Sequence, residues 1–349
     1  MGRSDRRGRL VIEAGTHMGR CRLVSQIGQG SMGVVWEAWH TTLGIPVAVK
    51  LLRHPENLGE AAYALKRFRM EAQITARINH PSVVRVLDFG EEDRPYLVME
   101  LVRGPDLQAW MNHRGIVDEI LALKVAGHVG IGLAAMHQCG VIHRDLKPSN
   151  ILISEGSRLK ITDLGLARSP GDNFRDDQIA GTPMYLAPEC LDSSAQTDTR
   201  SDLYALGVIL FRMVLGKMPF SGSTHEVLRA QIWNKPDWTI PVGSQIDAGT
   251  LFIARRLMEK DPRRRLQTAL ELVQACREQV ARLESRLAAD PAEEEPRSVR
   301  RPLLRDRLAS LRQEELENSR KNARSLGRLA LWLVGAGLLL LGGFFVGRL

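Results

Sequence analysis

The stretch His143-Arg144-Asp145-Leu146-Lys147-Pro148-Ser149-Asn150 gathers three chemically distinct groups in one short loop. Asp145 offers a carboxylate that can accept a proton, Lys147 a cation that can neutralise an anion, and Asn150 an amide oxygen suited to a hard metal ion. Downstream, Asp163 in Asp163-Leu164-Gly165 adds a second hard oxygen ligand. Upstream, Gly28-Gln29-Gly30-Ser31-Met32-Gly33-Val34-Val35 places glycines where a hairpin backbone can lie close over phosphates, its amide N–H groups left to donate. A dinucleotide-binding glycine turn would open a helix; here Val34-Val35-Trp36 continues as a strand, which argues against that class. Lys50 closes the apolar run Val47-Ala48-Val49, a poor place for an ordinary surface charge.

These groups need scaffolding, and the chain supplies two kinds. From Cys21 to Leu51 the pattern is strand-like, with hairpin turns at the glycine cluster and at Thr41-Thr42-Leu43-Gly44. Glu60 to Ile78 carries helical periodicity, with Leu65, Phe68, Ala72 and Thr75 on one side, before Asn79-His80-Pro81. Strand-like runs 83–89 and 96–101 complete a small sheet-rich lobe with one helix. After Arg103-Gly104-Pro105 the runs 120–138, 201–215, 224–233, 250–258 and 269–289 are helical. A β-rich half followed by an α-rich half predicts an α+β fold of two lobes, residues 19–102 and 103–284, preceded by a basic disordered arm over 1–18.

The 349 residues, 44% hydrophobic and 25% charged, suffice for a real core. The net charge of +8 is concentrated at Arg3, Arg6, Arg7 and Arg9 and again between Arg297 and Arg328. The second cluster runs straight into an apolar segment, so it points to a membrane surface and not to nucleic acid. Cys21, Cys139, Cys190 and Cys276 are scattered, which argues against a disulfide framework or zinc site and suits a reducing cytosol. Cys190 reads as a small core residue.

Taken together, the ordered motifs from Gly19 to about Val280 resemble a bacterial Hanks-type, eukaryotic-like serine/threonine protein kinase. The resemblance implies transfer of the ATP γ-phosphate to serine or threonine hydroxyls of proteins, with Mg²⁺, or Mn²⁺ as an alternative, as the metal. It makes Asp145 the base and Lys147 the group facing the γ-phosphate, with Asn150 and Asp163 as metal ligands. Lys50 becomes the lysine on the α- and β-phosphates; its expected carboxylate partner is Glu71, with Glu60 as competitor. Ile27, Gly28, Gly30, Gly33, Val35, Ala48, Met99, Glu100, Val102 and Leu152 are the expected ATP-binding residues: Val35 and Ala48 cover one ring face, Leu152 the other. Met99 guards the back of that pocket, and Glu100 to Val102 offer backbone groups to the base edge.

In the same way, Ala187-Pro188-Glu189 closes an activation segment, and Glu189 should pair with Arg265, or with Arg264. Asp202 is the expected brace of the catalytic loop, and Thr182 belongs to a platform for the peptide substrate. Arg144 implies control by an anion, and Asp176 or Asp177 is the expected permanent source of it. Leucine stands at position 164 where the family usually has phenylalanine, which keeps an apolar packing group.

The tail reads separately. From about Asp290 the chain is charged and poor in large apolar residues, so 285–328 is expected to form a linker. Leu329 to Val346 carries no charge, and at about 1.5 Å per residue it spans about 27 Å, enough for a transmembrane helix. Arg320, Lys321, Arg324 and Arg328 precede it, so the kinase lobes are expected in the cytoplasm and the C-terminus across the bilayer. Lipid and a homodimer are the partners this tail allows.

Overall fold

The computed structural model describes residues 12–30, 33–53, 58–92, 94–163, 183–191 and 197–289. Six strands form one antiparallel sheet: β1 (His17–Met18), β2 (Cys21–Gln29), β3 (Gly33–His40), β4 (Ile45–Leu52), β5 (Val86–Gly90) and β6 (Tyr96–Glu100), ordered β1-β2-β3-β4-β6-β5. Register sorts their side chains, because cross-strand partners share a face and successive residues alternate. Trp36, Ala38, Val47, Val49, Leu51, Tyr96 and Val98 bury one face together with Met18, Cys21 and Leu23. The pairs Val35–Lys50, Ala48–Met99 and Lys50–Leu97 put Val35, Ala48, Lys50 and Met99 on the opposite face.

On that second face lies α1 (Leu58–Thr75), where Phe68 and Ala72 pack with Leu52 and Leu97. The helix ends at Thr75, three residues earlier than the apolar pattern implies. Thr75 turns its hydroxyl back to the Glu71 carbonyl at 2.7 Å, and Ile78 N–H bonds to Thr75 O at 3.0 Å in a closing turn. The expected lobe boundary at residue 19 also falls too late. Ile12 packs on the sheet core and β1 pairs with β2, so the lobe begins before Gly19.

The second lobe is helical: α2 (Leu107–Arg114), α3 (Glu119–Gln138), α4 (Arg200–Leu215), α5 (Thr224–Trp233), α6 (Ala248–Leu257) and α7 (Ala269–Ala289), with a small hairpin of β7 (Ile151–Ile153) and β8 (Leu159–Ile161). Local chemistry starts these helices where it should. Asp106, Asp118 and Asp247 each accept a first-turn N–H, and Ser223 with Glu226 forms a capping box. Apart from Arg200 and Arg212, every residue of α4 is buried, which makes it the central post of the lobe. Among the described residues α3 is the one helix long and apolar enough to cross a membrane, yet it packs against α4 and α7 and reads as core.

Two seams join the lobes. Val84 N–H bonds to Ile161 O and Ile161 N–H to Ser82 O, each at 2.8 Å. At the other seam the chain leaves β6 through Gly104, whose φ of 138° suits glycine alone, and a Cβ there would stand 2.0 Å from Ile153 O. Ile153 N–H then donates to Pro105 O at 2.9 Å, tying β7 beneath the crossover. The tail span 329–346 and nearly all of the linker lie outside the described residues, as do Asp176, Asp177 and Thr182.

Candidate active site

Lys50 is the centre of the site. Its Nζ lies 2.7 Å from Glu71 Oε1 and 2.5 Å from Asp163 Oδ1, so the β4 strand, the α1 helix and the end of β8 meet at one ammonium. Burial works against its charge, but the two carboxylates more than offset that and hold its pKa above the ordinary lysine value. The Lys50 charge in turn holds Asp163 below the usual carboxylate range. Glu71 is pushed up by burial, and its Oε2 has no hydrogen-bond partner. Two acids are therefore drawn to one cation, and only one of them, Asp163, opens toward the cleft, its side chain 47% exposed against 4% for Glu71.

The catalytic-loop candidates sit just below. Lys147 Nζ lies 2.8 Å from Asp145 Oδ2, and Asn150 Nδ2 donates to Asp145 O at 2.9 Å. That bond fixes the Asn150 amide and leaves its oxygen as the group available to a cation. The loop is held from behind by Asp202, which is 1% exposed. Its Oδ1 accepts Arg144 N–H, and its Oδ2 accepts His143 N–H and meets His137 Nε2, all at 2.9 Å. Burial would raise Asp202, but these hydrogen bonds prevail and hold it below the usual range. Arg144 and Asp163 both take φ near 65°, a costly conformation for a side-chain-bearing residue, and the bonds to Asp202 and Lys50 hold it in place.

His143 opens the loop and also holds it in place through its ring. Its Nδ1 accepts Asp145 N–H at 3.3 Å and its Nε2 meets Thr162 O at 3.1 Å, which fixes the Nε2–H tautomer and links the loop to the backbone before Asp163. His137 was missed altogether, since nothing local marks a helix-terminal histidine as a partner for Asp202. Glu100 does more than offer backbone: its carboxylate takes Lys160 at 2.7 Å and Arg85 N–H at 2.9 Å, anchoring the end of β6 to β8.

The expected adenine-facing residues fall on one wall. Ala48 is buried, Val35 is half-buried beside it, and Met99 packs against the cluster of Phe68 and Leu97 at the back. Leu152 stands half-buried on β7 below, while Ile27 is exposed at the rim. The strand stops at Glu100, so Leu101 and Val102 run outside the ladder. The glycines divide in two. A Cβ on Gly33 would strike Leu51 O at 1.9 Å, so that glycine serves strand packing. Gly30 has nothing within 4 Å and Gly28 only ordinary contact, so there the backbone is left bare for a ligand.

Glu189 and Arg265 form a two-pronged ion pair, with both N–O distances 2.6 Å. Arg265, 1% exposed, also donates to the carbonyls of Glu259, Lys260 and Arg200, whereas Arg264 faces solvent. Ser201 adds a bond to Glu189 at 3.0 Å. Cys190, expected in the core, is only half-buried, although burial still pushes its thiol up to about 11.

A β-rich lobe over a helical lobe, with a lysine–acid pair above and an Asp-Lys-Asn loop below, defines a phosphotransferase of the protein kinase class. The protein kinase domain family matches residues 21–276, and the chain belongs to that family. It is similar to the serine/threonine-protein kinase pkn2 of Myxococcus xanthus, 38% identical over 270 residues covering 74% of this chain and 32% of that protein. It is also similar to the probable serine/threonine-protein kinase PknB of Corynebacterium glutamicum, 36% identical over 271 residues, 72% of this chain and 41% of that one. The serine/threonine-protein kinase PknA of Mycobacterium tuberculosis is 39% identical over 216 residues, 59% of this chain and 49% of that one. The chain thus spans about a third to a half of the length of these relatives.

A protein kinase domain implies ATP and a divalent metal, generally Mg²⁺. The residues present fit both. Asn150 and Asp163 offer hard oxygens, and among the described residues no cluster of three or more His, Cys, Asp or Glu could hold a metal alone. A pair of protein ligands completed by phosphate oxygens is how Mg²⁺ is ordinarily held.

Proposed function

We propose that this protein is a serine/threonine protein kinase that transfers the ATP γ-phosphate to protein hydroxyls, and that it works from a membrane surface. The observation that carries the catalytic reading is Lys50 held between Glu71 and Asp163 directly above the Asp145–Lys147–Asn150 loop. In this reading Lys50 binds the α- and β-phosphates, and the bare backbone of Gly28 and Gly30 covers the triphosphate. Asn150 and Asp163 hold Mg²⁺, which neutralises phosphate charge when bound. The substrate hydroxyl oxygen forms a bond to the γ-phosphorus while the bond to the β–γ bridging oxygen breaks. Asp145 takes the hydroxyl proton, Lys147 offsets charge on the transferred group, and ADP leaves.

Radiolabelled ATP and a generic protein substrate test this, comparing the full chain with Asp145→Asn. Label on serine or threonine should appear with the parent and fall by about 10²–10⁴-fold in the variant. Equal labelling would leave only a nucleotide-binding scaffold. The membrane reading rests on the uncharged run 329–346 behind four basic residues. Carbonate-resistant membrane association of the full chain, lost on deleting 329–349, is expected; a chain that washes off would end that part.

A further inference from the structure

An open groove of about 530 Å³ begins at the catalytic loop and runs along the helical lobe. Lys147, Pro148 and Ser149 line it on one side, Met184 and Tyr185 on another, and Gln108 and Asn112 of α2 line it together with Arg212 of α4. Because Lys147 also touches Asp145, whatever lies in this groove is continuous with the reacting hydroxyl.

Arg212 is the unusual feature. It stands half-buried on a helix that is otherwise buried but for Arg200, and among the described residues no Asp or Glu lines the groove. Its Nη1 donates to Gln108 Oε1 at 2.6 Å and to Tyr185 Oη at 2.9 Å, and its Nη2 donates to Asn112 Oδ1 at 3.0 Å. Three of a guanidinium's five N–H groups are thus spent on neutral acceptors, and the charge has no carboxylate partner among the described residues. The three bonds hold the head group rigid, which lowers the entropic cost of meeting a ligand. The remaining cationic groups nearby are already matched: Lys147 by Asp145 and Lys217 by Asp237. A rigid, unmatched cation beside the acceptor position is a recognition element for an anion.

We propose that Arg212 selects protein substrates carrying an acidic side chain close to the phosphorylated serine or threonine. This deepens the kinase reading and rests on it. A glutamate held by a charge-assisted bond to Arg212 should favour phosphorylation by about tenfold over glutamine at the same position, and a lysine there should be disfavoured.

The test is a peptide series around one serine in which each flanking position is scanned in turn as Glu, Gln or Lys. Each peptide is assayed for kcat/KM with the full chain. The Glu/Gln ratio on one enzyme preparation cancels any difference in folded fraction, so an Arg212→Gln or Arg212→Glu variant that folds poorly is still informative. At one or more positions the parent should show a ratio near 10, falling to about 1 in Arg212→Gln, with lysine becoming the preferred residue in Arg212→Glu. A parent that phosphorylates all three peptide types alike at every position overturns the assignment. So does an acidic preference that survives unchanged in both variants. Failure to label any peptide, together with no loss of protein labelling in Asp145→Asn, would instead overturn the kinase reading beneath it.

Discussion

Replacing Asp202 by asparagine removes one oxygen from a carboxylate that serves three donors. Oδ1 takes Arg144 N–H, while Oδ2 takes His143 N–H and His137, each at 2.9 Å. In either flip the new NH₂ faces at least one backbone N–H. His137 can respond by changing tautomer; a backbone amide cannot. A hydrogen bond to a charged acceptor contributes about 1.5–3 kcal/mol, and a buried donor left unmatched costs about 1–3 kcal/mol. These overlap, so the expected loss is about 2–4 kcal/mol, or about 5–15 °C in melting midpoint for a unit of this size. Asp145 directly follows the released Arg144, and a shift of about 1 Å at a reacting group can cost about 10²-fold, so kcat should fall by that order. Urea denaturation and steady-state kinetics on the full chain check both. An unfolding free energy within about 0.5 kcal/mol of the parent would refute the hydrogen-bond account. A destabilised variant with unchanged kcat would show that the loop does not depend on this brace.

The same group sets an acid limb. Asp202, through its hydrogen bonds, and Asp163, through Lys50, have folded pKa values below their unfolded ones. Their stabilisation is complete above the unfolded value of about 3.9 and is lost as pH falls through the folded values, so urea midpoints should drop below about pH 4 and drop less steeply in Asp202→Asn. Arg265→Ala leaves Glu189 buried without its cation and should cost about 3–5 kcal/mol, while Arg264→Ala, at the surface, should change stability by no more than about 0.5 kcal/mol in the same melts. Gly33→Ala must push against Leu51 O and should lower the melting midpoint. Gly30→Ala meets nothing, so it should leave the midpoint unchanged and raise the KM for ATP, a contrast read by calorimetry and kinetics together.

What the sequence discloses follows the range of the interactions. The bounds of α5 are readable because Ser223 and Glu226 make a local capping box, and those of α7 because its apolar stripe is regular over 21 residues. The end of α1 misleads because Ile74 and Ile78 are both buried, so the apolar pattern runs on past the last helical turn. β1, with two residues, and α2, with eight, are too short for periodicity to register; they exist because β2 and the catalytic loop give them something to pack on. Within the site, Lys50 and the loop residues are legible as chemical types at short spacing. Lys160 with Glu100, Arg212 with Gln108, and His137 with Asp202 pair side chains far apart in the chain, and only the folded backbone brings them together.

Nearly every fixture of the lower half of the cleft is hung on α4. Asp202 suspends the loop that carries Asp145, Ser201 meets the acid that closes the segment before it, the carbonyl of Arg200 receives Arg265, and Arg212 reaches out to α2. The upper half touches this helix nowhere in that set; it communicates through Lys50 and the two seams at Ile161 and Gly104. Asp145 and the groove beside Lys147 therefore take their positions from one helix, whatever the strands above them do.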